Sequence, residues 1–129
     1  MEKSIFMDKY PIYSMELKKD EISLKTTKEL VEYFIQNIEK HPVATNIAVF
    51  DHFTHTKKLD GKIDVKMLDA QNVIFCFGAA LPSSKILAAR PRSIGISEYE
   101  DKFNIDFIEA PNEKLTIVMR EWVLDLTSL

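Results

Sequence analysis

The stretch NVIFCFG, residues 72–78, constrains the fold more than any other part of the sequence. It is a short, continuous apolar run that ends at a glycine, and it is far too short to span a bilayer, which takes about 20 residues. Such a run is typical of a central strand buried on both faces. A chain of 129 residues can supply this cover, because it buries roughly two-thirds of the surface that its unfolded form exposes. We therefore predict a single domain over residues 1–129.

The segments around this run alternate between patterns of strands and patterns of helices. Apolar side chains recur at every second position of residues 10–18, which predicts a half-buried strand. Thr26 and Glu29 form a capping-box pattern, and an apolar stripe at helical spacing follows, which predicts a helix to about residue 40. The same patterns predict strands at 46–54, 92–100 and 103–111, helices at 82–90 and 113–126, and a polar connection of undefined structure at 57–71.

The predicted order is β-α-β-(x)-β-α-β-β-α, with a hairpin late in the chain. This order favours an α+β fold, with a mostly antiparallel sheet and about three helices packed on one face. The other face of such a sheet needs cover. Three alternate apolar positions of the predicted strand 46–54, Ile47, Val49 and Phe53, could supply an interface. We therefore expect a homodimer.

Charge and cysteine usage exclude several classes of protein. The net charge of −3 argues against nucleic-acid binding, which needs a basic surface, and the cluster of Lys85, Arg90 and Arg92 is too small to change this. The single cysteine, Cys76, cannot form an intrachain disulfide, which favours a reducing compartment. The first ten residues, MEKSIFMDKY, lack the apolar core of a signal peptide. We expect a cytoplasmic protein without a membrane partner.

The stretch VFDHFTHT, residues 49–56, holds two of the three histidines. Neighbours in a strand point to opposite faces, so Asp51 and His52 would not share a site. One interpretation is a polar pair that satisfies backbone groups or caps the end of a strand. The alternative is that His52 binds a ligand or acts as a general acid or base beside Asp51, Tyr99 or Arg92.

A metal or haem site is a further alternative, with His52, His55 and Cys76 as ligands. Positions three apart in a strand face opposite ways, so the two histidines are poorly placed for it. Metal sites usually need three or four ligands. Cys76 lies in the most apolar run of the chain, where a free cysteine usually behaves as a small hydrophobic residue. We assign no cofactor.

The loop FGAALPSSK, residues 77–85, is the second candidate site. A glycine after a central strand, followed by the start of a helix, can present backbone N–H groups to an anion. Ser83 and Ser84 would add donors and Lys85 a positive charge. The alternative is an ordinary helix cap. The three glycines of the chain form neither a P-loop nor a dinucleotide-binding loop.

Four spaced motifs follow one another in the second half of the chain. They are Asp51-His52 at the end of a strand, Phe77-Gly78 at the end of the apolar strand, a hairpin over residues 96–109, and Pro111. In this order, residues 28–112 resemble the domain-of-unknown-function family three hundred and two. The resemblance implies a small α+β domain that is often dimeric and has no established activity. This chain departs from the family at residues 79–82, which belong to the loop FGAALPSSK.

Three functions follow from these observations. The first is a dimeric small-ligand-binding or sensory domain with a cleft near His52 and the Gly78 loop, and the absence of a catalytic constellation favours it. The second is an enzyme that uses His52 as acid or base. The third is the metal or haem protein. The residues expected to bind a small-molecule or anionic ligand are Asp51, His52, Gly78, Ser83, Ser84 and Arg92.

Overall fold

The core of the protein is a six-stranded antiparallel sheet with the strand order β1-β2-β6-β5-β4-β3. A computed structural model describes residues 1–129. The two edges of the sheet are β1 and β3. The strands are β1 (Glu2–Phe6), β2 (Tyr10–Lys18), β3 (Ala44–Asp51), β4 (Asp69–Phe77), β5 (Arg92–Glu98) and β6 (Lys102–Ile108).

Two long helices cover one face of this sheet. Helix α1 spans Thr27–Lys40, and the side chain of Thr26 caps it by accepting a hydrogen bond from the backbone N–H of Glu29 at 3.1 Å. Helix α4 spans Glu113–Leu124, and Asn112 caps it through the N–H of Lys114. The apolar stripes of both helices point at the sheet. The buried apolar residues are Leu17, Ile22, Leu30, Val31, Phe34, Ile38, Val73, Phe75, Phe77, Ile94, Ile96, Phe103, Ile105, Phe107, Ala110, Met119, Trp122, Val123 and Leu126.

The α+β class, the antiparallel sheet and the late hairpin are confirmed, but the predicted element order is incomplete. Strand β1 is missing from it because every residue of β1 is exposed, so no buried face marks its sequence. The predicted helix at 82–90 shrinks to α3, Ile86–Ala89, and the backbone carbonyls of Ser83 and Ser84 accept hydrogen bonds from its first turn. The serines therefore do not cap it through their hydroxyls.

The predicted strand 46–54 is wrong at its end, since β3 stops at Asp51 and helix α2, His52–Lys58, begins there. The carboxylate of Asp51 accepts hydrogen bonds from the N–H of Thr54 at 3.0 Å and from its hydroxyl at 2.9 Å. These bonds satisfy the free donors of a helix start. The aromatic and β-branched composition of the stretch indicates a strand, and this local capping overrides it.

The placement of about three helices on one face is not found. Val73 points into the core, so its neighbour Asn72 must face the opposite side of β4. Asn72 contacts His52 of α2, so α2 lies on the side away from α1 and α4. Short single turns of 3-10 helix complete the chain at Lys19–Glu21 and Asp125–Ser128.

The apolar run at 72–78 is fully buried on one face only. Val73, Phe75 and Phe77 lie in the core, whereas Ile74 and Cys76 on the other face are half-buried.

The three residues expected to form an interface do not share a face. Val49 pairs with Val73 on the helix side, a bulge interrupts β3 between Asn46 and Ala48, and Phe53 belongs to α2. None of the helices is both long and apolar enough to cross a membrane.

Candidate functional site

The side of the sheet opposite α1 and α4, here called the open face, carries a row of polar positions. The strand registers align Ser14 of β2 with Asp106 of β6, Asp106 with Gly95 of β5, and Gly95 with Asn72 of β4. These four residues, the cross-strand row, cross the four inner strands of the sheet in one line. Each has neighbours along its strand that point into the core, so all four face the same way.

Hydrogen bonds fix both ends of the cross-strand row. At one end the hydroxyl of Ser14 donates to the carboxylate of Asp106. At the other end Nδ2 of Asn72 donates to Oγ of Ser93 at 3.0 Å, and Oδ1 of Asn72 lies 3.0 Å from Nδ1 of His52. The polar groups at both ends of the row are therefore held in fixed orientations.

These contacts determine the tautomer of His52. The amide nitrogen of Asn72 faces Ser93, so the oxygen that faces His52 can only accept a hydrogen bond. Nδ1 of His52 must then carry the proton and donate it. In the neutral ring, Nε2 is left as a free acceptor.

Gly95 leaves a gap in the middle of the row. A Cβ at this position would lie 3.4 Å from the carbonyl oxygen of Asp106 and 3.7 Å from Nδ2 of Asn72, which are van der Waals distances. The backbone of Gly95 does not have a positive φ either. Neither packing nor backbone conformation therefore requires a glycine here. A glycine inside a strand often marks a bulge, a tight bend, or a place where a ligand or another backbone approaches closely, and the registers show no bulge at Gly95.

The open face forms cavities on both sides of this gap. A cavity of about 540 Å³ lies over β2 and β6, and its lining includes three carboxylates, Glu2, Glu16 and Asp106, and no lysine or arginine side chain. A second cavity of about 290 Å³ lies beside α2, lined by residues that include His52 and Ala70. The site is thus a broad polar floor with acidic walls at one end.

An apolar strip borders the cross-strand row on the same face. Ile12 aligns with Ile108 in the next register position, and Ile74 occupies the matching position of β4. Ile12 and Ile74 are half-buried, and Ile108 is exposed. The open face therefore offers hydrogen-bonding groups beside a flat apolar surface.

The histidines were predicted to face apart, and the structure brings them together. Because α2 is a helix, positions three apart lie on one side, and the ring centroids of His52 and His55 are 6.2 Å apart. Both rings contact Phe50, at 5.2 and 5.1 Å between centroids. The prediction of opposed side chains was wrong because it assumed a strand.

The proposed metal ligands do not converge. Cys76 is half-buried on the open face, four residues along β4 from Asn72, the partner of His52, and four strand residues span about 13 Å. The structure contains no group of three or more histidine, cysteine, aspartate or glutamate side chains that could hold a metal ion.

The other predicted ligand-binding residues lie apart from His52. Asp51 is occupied by its bonds to Thr54, and the N–H and hydroxyl of Thr54 hold the pKa of the Asp51 carboxyl below its usual range. Gly78 follows the far end of β4, six residues from Asn72 or about 20 Å along the strand. Ser83 and Ser84 are exposed beyond it. The structure therefore does not place the two predicted sites in one cleft.

Arg92 points into the helix side of the sheet rather than toward the open face. Its guanidinium donates to the backbone carbonyls of Ile108 at 2.5 Å and Ala89 at 3.4 Å, and its Nε has no partner. Burial lowers the pKa of Arg92. The β5–β6 pairing begins only at Gly95, so Arg92 joins the two strands where their ladder is open.

Sequence reasoning missed the residues of the cross-strand row. A signal was present in β5, RSIGISE, where Ser93, Gly95 and Ser97 alternate with buried residues. Alternation of this kind marks a polar face, but it does not tell which strands lie side by side. Only the register brings Ser14, Asp106 and Asn72, which are distant in sequence, onto one line with Gly95.

Comparison with protein families decides the relationship that the motifs left open. The sequence model of one family of unknown function matches residues 1–128. The chain belongs to the family of unknown function DUF6858. The resemblance to family three hundred and two is therefore wrong, since it rested on four short, spaced motifs within residues 28–112, whereas the model of this family matches residues 1–128. For this DUF6858 domain, neither the curated proteins nor the solved structures give a match.

Proposed function

We propose that this DUF6858 domain binds a small polar molecule on the open face of its sheet, over the cross-strand row. The observation that carries the proposal is Gly95. It lies in an inner strand, where a side chain would stabilise the sheet, and nothing within the chain requires its absence. The fixed polar groups of Asn72 and Asp106 flank it on both sides. A gap between pre-oriented donors and acceptors suits a ligand that lies flat on the backbone.

The charges around the site favour a neutral or cationic ligand over an anionic one. Glu2, Glu16 and Asp106 line the cavity of about 540 Å³. The nearby cations are Lys102, with which Glu16 already pairs at 3.1 Å, and the α-amino group of Met1, which faces three carboxylates. An anion would meet carboxylates here, whereas an amine would find acceptors. The bordering strip of Ile12, Ile74 and Ile108 suits a molecule with one apolar side.

His52 supplies the other end of the site. With Nδ1 donating to Asn72, Nε2 of the neutral ring can accept a hydrogen bond from a hydroxyl, amide or ammonium group. A ligand that spans Asp106 and His52 would therefore donate hydrogen bonds at both of its ends.

The proposal is tested by NMR titration of ¹⁵N-labelled protein with a fragment set that contains primary amines, neutral amides and carboxylates. We expect amines or amides to shift the signals of residues 14, 72, 93, 95, 97 and 106, and carboxylates to leave them unchanged. Gly95→Val should weaken binding at least tenfold, because it fills the gap with a branched side chain. The matched control is Ser4→Val, on the open face of the edge strand β1, which should bind as the wild type does.

The proposal fails if no fragment shifts the cross-strand row. It also fails if Gly95→Val binds as tightly as Ser4→Val. A folded state in both variants is checked by the dispersion of the same spectra.

A second candidate function is acid–base catalysis by His52. The observation that favours it is the orientation of the ring by Asn72, since a general base is commonly held by a third group. Asp64 and Lys62 line the same 290 Å³ cavity and could contact a substrate. Incubation of each binding fragment with wild-type protein and with His52→Ala, followed by mass spectrometry, tests it. Chemical change that depends on His52 would establish turnover, and unchanged fragments would exclude this candidate for them.

A further inference from the structure

The edge strand β3 is long and carries no charge along most of its length. It has eight residues, Ala44–Asp51, and residues 42–50 contain no charged side chain. Ile47 is 53% exposed, Val49 42% and Phe50 37%. Natural edge strands are usually short or charged, because their free N–H and C=O groups otherwise recruit another strand. Apart from its one bulge, β3 lacks these protections.

The opposite edge of the sheet, β1, is protected against pairing with another strand by its short length and its charges. Strand β1 has five residues and carries Glu2 and Lys3. Lys3 is also held by Glu109 at 3.1 Å. Ile5 of β1 is 58% exposed, much like Ile47 of β3. The two edges therefore differ in length and charge rather than in the exposure of single apolar side chains.

We propose that β3 pairs antiparallel with β3 of a second copy of this chain. The outward N–H and C=O groups of an edge strand are satisfied by another strand, which defines the chemistry of the partner. A twofold axis perpendicular to the sheet generates antiparallel pairing of a strand with itself. The two six-stranded sheets would then form one continuous sheet, with both open faces on the same side.

The charge pattern favours a second copy as the occupant. The only charge of β3 is Asp51, at its end. In an antiparallel pair the two Asp51 carboxylates lie at opposite ends of the ladder, so no like charges meet. Self-pairing of β1 would instead place charged side chains within a five-residue ladder. The exposed apolar side chains of β3 would pack against apolar side chains of the second copy's β3, which removes apolar surface from water.

Sedimentation velocity on the full chain tests this inference. The wild type should sediment with twice the chain mass of 14.9 kDa, which is 29.8 kDa. Ile47→Lys places a charge in the middle of β3 and should reduce the mass to 14.9 kDa. Ile5→Lys makes the same change on the other edge, at similar exposure, and should remain dimeric. Ile108→Lys, on the open face, should also remain dimeric.

Hydrogen exchange on the unmodified chain gives a readout that does not depend on a variant folding. The backbone amides of residues 44–51 should become better protected as the protein concentration rises, and those of residues 2–6 should not. The inference is overturned if the wild type sediments at the single-chain mass at every soluble concentration, or if β3 shows no such protection. Loss of the dimer in Ile5→Lys or Ile108→Lys, but not in Ile47→Lys, would place the contact elsewhere. None of these outcomes depends on ligand binding.

Discussion

The carboxamide oxygen of Asn72 lies 3.0 Å from Nδ1 of His52, twenty residues away along the chain, and this contact joins helix α2 to the open face of the sheet. It orients the imidazole and sets its tautomer, because the other end of the amide is bound to Ser93. The contact depends on two strands, β4 and β5, and on helix α2, and no local sequence pattern indicates that these three elements meet.

Asn72→Ala is expected to remove the hydrogen bond that favours the Nδ1–H tautomer of His52. In the wild type at a pH where the ring is neutral, ¹⁵N shifts should report a proton on Nδ1. In Asn72→Ala the Nε2–H form, which is the more common form of a free imidazole, should gain population. Long-range ¹H–¹⁵N correlation spectra measure this change.

His41 provides an internal control for the same spectra. Its Nδ1 faces the backbone N–H of Val43 at 3.3 Å, so it should carry its proton on Nε2 in both proteins. A His52 ring with identical nitrogen shifts in wild type and Asn72→Ala would contradict the assigned hydrogen bond.

Asp51→Ala should lower the free energy of unfolding by about 0.5–2 kcal/mol, the usual effect of losing an N-cap. Asp51→Asn should restore most of this loss at neutral pH, because asparagine caps a helix about as well as aspartate. Urea denaturation followed by circular dichroism measures both. Equal stability of wild type and Asp51→Ala would show that the cap on α2 contributes nothing.

The same position should give the protein an acid-dependent stability. The pKa of Asp51 is lowered in the folded state by the N–H and hydroxyl of Thr54. Its contribution is therefore present above the unfolded pKa of an aspartate, about 3.9, and is lost as the pH falls through the lower folded value. The stability difference between wild type and Asp51→Asn should change in favour of Asn as the pH falls through this range, and a difference that is independent of pH would contradict it.

Substitution by alanine should change the free energy of unfolding in opposite directions at Gly78, which follows β4, and at Gly95, which lies within β5. Gly78 has φ +93°, a backbone conformation that L side chains rarely adopt, so Gly78→Ala should cost about 1–2 kcal/mol even though the nearby end of the flexible Arg90 side chain can move aside. Gly95→Ala should stabilise the protein by about 0.5–1 kcal/mol, because the extended backbone tolerates a Cβ there. Thermal and urea unfolding of both variants test the contrast. A destabilised Gly95→Ala would mean that packing, rather than a ligand, requires the glycine.

Tyr33 joins the two long helices, since its hydroxyl donates to the backbone carbonyl of Trp122. Tyr33→Phe should lower the free energy of unfolding by about 0.5–1.5 kcal/mol at neutral pH. Burial, with a smaller contribution from Asp125, raises the pKa of Tyr33 to about 12, above the unfolded value of about 10.

The effect of Tyr33→Phe should therefore depend on alkaline pH. The contribution of a group with a raised folded pKa is complete below about pH 10 and is lost as the pH rises toward about 12. The stability of the wild type should approach that of Tyr33→Phe over this range. Denaturant midpoints at several pH values measure the difference, and a constant gap would show that the hydroxyl is not protected from ionisation.

Elements with a buried face could be predicted from the sequence, and exposed elements could not. Strand β2 and helices α1 and α4 could be predicted from the spacing of their apolar residues and from the caps at Thr26 and Asn112. An element with one buried face has apolar residues at regular intervals in its sequence. Strand β1 has no buried residue, so it leaves no such period. At residues 52–58 the composition indicates a strand, but these residues form a helix whose N-terminus is capped by Asp51.

The candidate site shows the same division. The sequence directed attention to His52, and the structure does place His52 beside the open face, but Gly78, Ser83, Ser84 and Arg92 lie elsewhere because the ends of β4 are far apart. Sequence alone determined the α+β class, the helix caps and the polar alternation of β5, since each depends on neighbours within a few residues. The tertiary structure decided the strand order and register, because pairing joins residues that are distant in the chain. That pairing alone aligns Ser14, Asp106, Gly95 and Asn72 and leaves β3 at an uncharged edge.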